Sequence, residues 1–197
     1  MKTITALLTA IKPYLPLLLL VGAGYILVEN FDTRQGDYDP KRSLRQVSDS
    51  DLPLLDRGNG QTGAQSRLTD WTGKPLLINF WASWCQVCRL EKPLLQQLAK
   101  NHPEANLVSV VTYDELEAIR SSGELQKRPF PTLFDYDGDL ARESQVESLP
   151  HTLLVDKSGY IRKRYRGALT PQRVLEIGDW MQKLAQEDAD SSPESAE

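Results

Sequence analysis

The chain contains two cysteines, Cys85 and Cys88, separated by Gln86 and Val87. A pair this close cannot brace a fold, but it can close a small redox ring or donate to a metal. Disulfide exchange needs a thiolate as the attacking group. The placement of the pair suits that need. Leu76 to Trp81 is an apolar run broken only by Asn79, as expected of a buried central strand. After Cys88, Leu90, Leu94, Leu95 and Leu98 recur at helical spacing as far as Lys100. Cys85 is therefore expected at the start of a helix, where unpaired N–H groups and the helix dipole stabilise an anion. Its pKa is expected below the ~8.5 of a free thiol. Cys88, one turn further in, is expected to be less exposed and to displace whatever Cys85 captures.

Other chemistries can use the same pair. A structural zinc site needs about four ligands. Beyond the cysteines, only His102 and His151 offer imidazoles. Two thiolates and a histidine could hold Cu(I), so a copper-binding, metallochaperone-type protein is the alternative from a different class. An inert buried pair is the plainest reading, but a strand-to-helix junction is where reactive cysteines sit. Exchange through the pair calls for no cofactor and no metal. The formal net charge of -4 argues against nucleic acid as a partner, because phosphate binding needs a basic face.

Several elements must position the pair. Leu52 to Thr72 is loop-rich and compatible with a short hairpin. Pro93 falls inside the helix after the cysteines, where a kink is expected. Leu107 to Val111 is a second core strand, and Asp114 to Ser122 a helix closed by Gly123. Thr132 to Tyr136 reads as a strand, Leu140 to Val146 as a short helix and His151 to Val155 as a third apolar strand. A turn at 156–159 leads into Tyr160 to Arg166, a basic edge strand. Thr170 and Pro171 are an N-cap residue and a first-turn proline, starting a helix that runs to about Gln186. This order implies an α/β fold with a mixed sheet.

The ends differ in character. Pro13 to Val28 carries no charge, with Lys2 and Lys12 before it and Glu29, Asp32, Asp37 and Asp39 after it. This predicts a transmembrane anchor at 13–28 with residues 1–12 cytoplasmic and the rest exported. The run is slightly short of the roughly 17–25 residues of a comfortable span, and can be extended if Lys12 snorkels. A cleaved signal peptide would share the basic start and apolar stretch, but no A-x-A site follows Val28. Residues 29–51 read as a polar linker, 52–186 as the folded domain and 187–197 as an acidic disordered tail.

The stretch Asn79-Phe80-Trp81-Ala82-Ser83-Trp84-Cys85-x-x-Cys88-Arg89-x-Glu91-x-Pro93 resembles the signature of the TlpA/ResA/DsbE branch of the thioredoxin superfamily. Gly73-Lys74-Pro75, Leu149-Pro150-His151-Thr152 and Asp156-x-x-Gly159 fit as well, so that the resemblance spans about Leu52 to Leu184. It implies a thioredoxin fold and an anchored or secreted thiol–disulfide oxidoreductase on the periplasmic side of the inner membrane. Its clients would be exported proteins with cysteine pairs, such as apocytochrome c or copper-site proteins. A membrane thiol reductant would reload it, and its N-terminal anchor would sit in inner-membrane lipid. Reduction is the implied direction.

By the same resemblance, Pro150 matches a cis-proline that faces the cysteines and docks the client. Trp84, Leu149, Pro150 and His151 are the implied client-binding residues. Glu91 matches an acidic residue near the pair. It is either a general base for the Cys88 proton or a solvated helix glutamate. Asn79 stands where classical thioredoxin has a buried aspartate, which adds interest to Glu91. His151 follows the proline where relatives more often have Thr or Glu. It can be read as a client contact, a copper ligand or, most plainly, a surface residue.

Overall fold

The computed structural model describes residues 45–187 except 59 and 61. The expected anchor at 13–28, most of the linker and the acidic tail beyond Glu187 lie outside the described residues. No described helix is long and apolar enough to cross a membrane.

Seven strands form the sheet: β1 (Leu52–Leu55), β2 (Thr62–Ser66), β3 (Leu76–Trp81), β4 (Asn106–Thr112), β5 (Thr132–Asp135), β6 (His151–Val155) and β7 (Ile161–Arg166). Their order is β2-β1-β5-β4-β3-β6-β7. β3 pairs in parallel with β4, as β4 does with β5, while β6 and β7 are antiparallel additions. The sheet is therefore mixed. β3 lies at its heart because every one of its residues is buried, and only a strand covered on both faces can be apolar along its whole length. The basic β7 and the exposed β2 are the edges, where charge or polarity discourages further pairing.

Among the described residues, four α-helices accompany the sheet: α1 (Gln86–Asn101), α2 (Leu116–Ser122), α3 (Asp139–Glu143) and α4 (Pro171–Gln186). α1 continues through Pro93 as one element. α4 starts as its sequence requires: the Thr170 side chain accepts from the Arg173 N–H, and Pro171 occupies the first turn. α2 ends at Gly123 in a left-handed conformation (φ 65°).

Side chains alternate across β3. Leu76, Ile78 and Phe80 join Val108, Val110, Leu153 and Val155 in a core that includes Leu140 and Ala141 of α3. Leu77 points the other way, packing with Leu95 and Leu98 of α1 and with Ile177, Met181 and Leu184 of α4. Each large apolar side chain fully buried in this way contributes about 1.5–3 kcal/mol. Val47, within the expected linker, is instead part of the first core, with its N–H bonded to the Gly159 carbonyl at 2.9 Å. Gln46 bridges to Tyr160 on the same side. The packed domain thus begins before Leu52.

Candidate functional site

β3 delivers the chain to the site. After Trp81, the Ala82–Trp84 turn leads straight into α1, whose N-cap is Cys85. Cys85 and Cys88 are joined by a disulfide with an S–S distance of 2.05 Å. The Cys85 Sγ accepts from the Cys88 backbone N–H at 3.2 Å, which places that sulfur at the helix N-terminus. Cys85 keeps 6% of its surface and Cys88 none, so the expected order of accessibility holds. Both pack with Trp81, Ala82, Val111, Ile119 and Phe134, and Leu149 lies against the same cluster.

The turn before Cys85 is fixed by Asp114, just past the end of β4. Its carboxylate accepts from the Ser83 N–H, from the Ser83 hydroxyl (3.0 Å) and from the Glu115 N–H (2.8 Å). Arg89 of α1 donates to the Ser83 carbonyl at 2.6 Å. Trp84 is 61% exposed, and its indole N–H donates to the Tyr113 carbonyl at 2.9 Å. Tyr113 adopts φ 53°, unusual for a residue other than glycine. Its ring leans on Gly138, where a Cβ would come within 2.2 Å of it. Glycine is the residue this contact admits. On the other side, Leu149-Pro150 is the cis peptide implied for Pro150. The Pro150 carbonyl accepts from the Gly167 N–H at 2.9 Å.

About one turn along α1 from Cys88, Glu91 belongs to a buried polar layer. Glu91, only 1% exposed, is not the solvated helix glutamate that was one of its two readings. One of its oxygens accepts from Asn79 Nδ2 and the other from the Leu169 N–H, both at 2.9 Å. Burial raises its pKa, and the Leu169 and Asn79 hydrogen bonds and the Arg128 charge offset part of that rise. Asn79 Nδ2 also donates to Thr152 at 3.2 Å. Its Oδ1 accepts from Arg128 Nη1 at 3.3 Å. Arg128 is fully buried, with its guanidinium 3.9 Å from the Trp81 ring centroid.

His151 requires a correction. It is fully buried, and neither ring nitrogen has a partner among the described residues. It pairs with Phe80 across β3 and β6 and so faces the first core, opposite to Asn79 and Thr152. Burial, then the nearby Arg164 and Arg166, lowers its pKa to about 4. It is neither a surface residue nor placed to touch a client. Among the described residues, no three His, Cys, Asp or Glu side chains gather as metal ligands would. His102 bonds Glu104 at 2.8 Å and lies against Gly178 of α4.

The AhpC/TSA family matches residues 45–164. The chain belongs to that family. It is 32% identical over 173 residues to the thiol:disulfide interchange protein DsbE of Pseudomonas aeruginosa, covering 86% of this chain and 91% of the relative. It is 28% identical over 160 residues to the thiol-disulfide oxidoreductase ResA of Geobacillus thermodenitrificans, covering 80% and 87%. The solved structure of MTB dsbF in mixed oxidised and reduced forms superposes with a TM-score of 0.58 at 27% identity, covering 69% of this chain and 95% of that one. As a family member with an intact Cys-x-x-Cys, the chain is a thiol–disulfide oxidoreductase of the DsbE/ResA type.

Two residues of this site escaped the sequence. Asp114 reads as an ordinary helix start, yet it directly follows a strand parallel to β3, and the carboxyl ends of parallel strands are where α/β folds build sites. Arg128 carries no sequence signal. Between Lys127 and Pro129 it resembles a solvated loop cation.

Proposed function

We propose that this chain is a membrane-anchored, exported reductase of disulfides in extracytoplasmic proteins, cycling Cys85 and Cys88 between dithiol and disulfide. The carrying observation is the asymmetry of the pair: Cys85 sits at the helix N-cap with residual exposure, and Cys88 is sealed behind it.

In the reduced form, the Cys85 thiolate attacks one sulfur of a client disulfide. A Cys85–client bond forms as the client's own S–S bond breaks, and the departing client thiolate takes a proton from solvent. Cys88 then gives its proton to the Glu91 carboxylate, whose oxygens retain acceptor capacity beyond their two N–H bonds. It attacks the Cys85 sulfur and expels the second client thiolate. Two electrons have passed to the client, and the Cys85–Cys88 disulfide seen here is the product. A membrane dithiol donor returns two electrons. Trp84, Leu149 and Pro150 form the client-facing rim, and apocytochrome c or copper-site cysteines are fitting client chemistries. The relatives named as interchange proteins support this reading, as does the N-terminal apolar run between lysines and acidic residues.

The test is alkylation of the reduced chain at neutral pH, together with capture of clients on Cys88→Ser. Cys85 should react at least tenfold faster than Cys88, as expected for a thiolate at a helix N-terminus. The serine variant should accumulate mixed disulfides through Cys85. Faster alkylation of Cys88, or no captured client, would reverse the roles or remove the activity.

A further inference from the structure

We propose that Arg128 is a positioning residue of the redox centre: it sets the orientation of the Asn79 amide and supplies the buried positive charge against which the Glu91 carboxylate is held ready for the Cys88 proton. The inference rests on the role given to Glu91 above.

The argument begins with what a guanidinium can do. It has five N–H donors and no acceptor. The Asn79 atom that meets Arg128 Nη1 at 3.3 Å must therefore be its carbonyl oxygen. That choice turns the Asn79 NH2 group toward Glu91 Oε1 at 2.9 Å and Thr152 Oγ1 at 3.2 Å. Without the arginine, the amide can turn over and face Glu91 with an oxygen, and two acceptors would oppose one another in a buried site.

The charge argument is independent. Glu91 is sealed from water, and an ion so placed needs a countercharge. Lys92 is the next residue, but it is engaged by Glu124 at 2.7 Å, and Lys127 also bonds Glu124, at 3.2 Å. Arg128 is acted on by both Glu91 and Glu124, and among the described residues its charge opposes the rise in the Glu91 pKa. It remains protonated at neutral pH although burial lowers its pKa to about 10. Among the described residues, its Nε and Nη2 have no hydrogen-bond partner. Here the guanidinium is held by the Trp81 face and by one bond to Asn79.

The test follows ionisation of Glu91 in the reduced full chain by carbon NMR of its carboxyl, alongside the pH–rate profile of disulfide exchange. Wild type is compared with Arg128→Met, Arg128→Lys and Glu91→Gln. In Arg128→Met, the Glu91 midpoint should rise by about one pH unit or more. The rate below that midpoint should then fall about tenfold, since one unit is a factor of ten in protonation. Arg128→Lys keeps the charge without the planar fork and should shift by only a few tenths. If the Met variant does not fold, Arg128→Gln decides, since it removes the charge but can still donate to Asn79, and an unmoved midpoint in that variant overturns the proposal. So does a folded Met variant with the wild-type midpoint and profile, which would leave Arg128 a purely structural residue. If wild type and Glu91→Gln share one profile, the role of Glu91 falls and this inference with it, while the faster alkylation of Cys85 would still support exchange.

Discussion

The two faces of the central sheet handle a buried polar group in opposite ways at the same height. On the face toward α1, Asn79 and Thr152 are cross-strand partners, and the carboxylate, amide and guanidinium of Glu91, Asn79 and Arg128 form a bonded layer. On the other face, Phe80 and His151 are the next cross-strand pair, and the buried imidazole has no hydrogen-bond partner for either nitrogen among the described residues, with Arg164 and Arg166 near enough to oppose its protonation. An ionised group survives burial by hydrogen bonds and countercharge; an unpartnered one survives by staying neutral. The layered face is the one that carries the cysteine helix. On the mechanism proposed above, a buried ionised group is retained on the face where a proton would move, while the buried imidazole on the other face is kept neutral.

The strongest way to break that contrast is to remove the hub of the layer. Asn79→Leu takes away the donor to Glu91 and the acceptor for Arg128 while keeping a strand-compatible side chain. Two hydrogen bonds to charged groups are lost with their partners still buried, so the expected loss is about 4 kcal/mol. Urea unfolding at pH 7 should show a lower midpoint with an unchanged slope. A loss under about 1 kcal/mol would mean that the layer contributes no more than an ordinary surface contact.

The second test uses acid. The folded-state pKa of His151 is about 4, against 6.5 when unfolded. As pH falls through 6.5, the unfolded chain takes up a proton that the folded chain refuses, and stability drops until about pH 4. The stability attached to neutral His151 is thus fully present above pH 6.5. The loss amounts to about 3 kcal/mol. His151→Phe should flatten this part of the stability-versus-pH curve, as read from urea midpoints between pH 7 and 4. Parallel curves for the two proteins would show that His151 finds a partner or solvent on protonation.

How much of this contrast was legible beforehand depends on the kind of signal. The cysteine pair, the apolar runs of β3 and β6 and the Thr170-Pro171 helix start are local patterns, and each element stands where its pattern put it, to within two residues. The hairpin of β1 and β2 also formed in the expected region. The burial of His151 was written in the alternation: it shares parity with Leu153 and Val155, so a core position followed once β6 was known to be covered on that face. Its place beside Pro150 drew the reading toward function instead. Arg128 was illegible for a different reason. Its burial depends on Trp81 offering a ring face and Asn79 an oxygen from a strand far away in the chain, and charged residues between a lysine and a proline are normally solvated. Val47 entered the core from a polar segment by one side chain and one strand-like bond to Gly159. A single residue carries no period to detect.

The smallest expected effect sharpens the contrast by its sign. Burial raises the Glu91 pKa above its ordinary 4.5, with hydrogen bonds and Arg128 opposing the shift. The folded chain therefore holds that proton more tightly than the unfolded one. As pH rises through the window between 4.5 and the raised folded value, the unfolded chain releases its proton first, and stability falls. Above the window the cost is complete; below 4.5 it is absent. The urea-midpoint stability of wild type relative to Glu91→Gln should accordingly decline over this window and then level off, opposite in direction to the His151 curve. Because several bonds counter the burial, the decline should be the shallower of the two. A difference that climbs with pH would show that Asn79, Leu169 and Arg128 outweigh desolvation. The carboxylate would then be a stabilising anion with little tendency to accept a proton from Cys88.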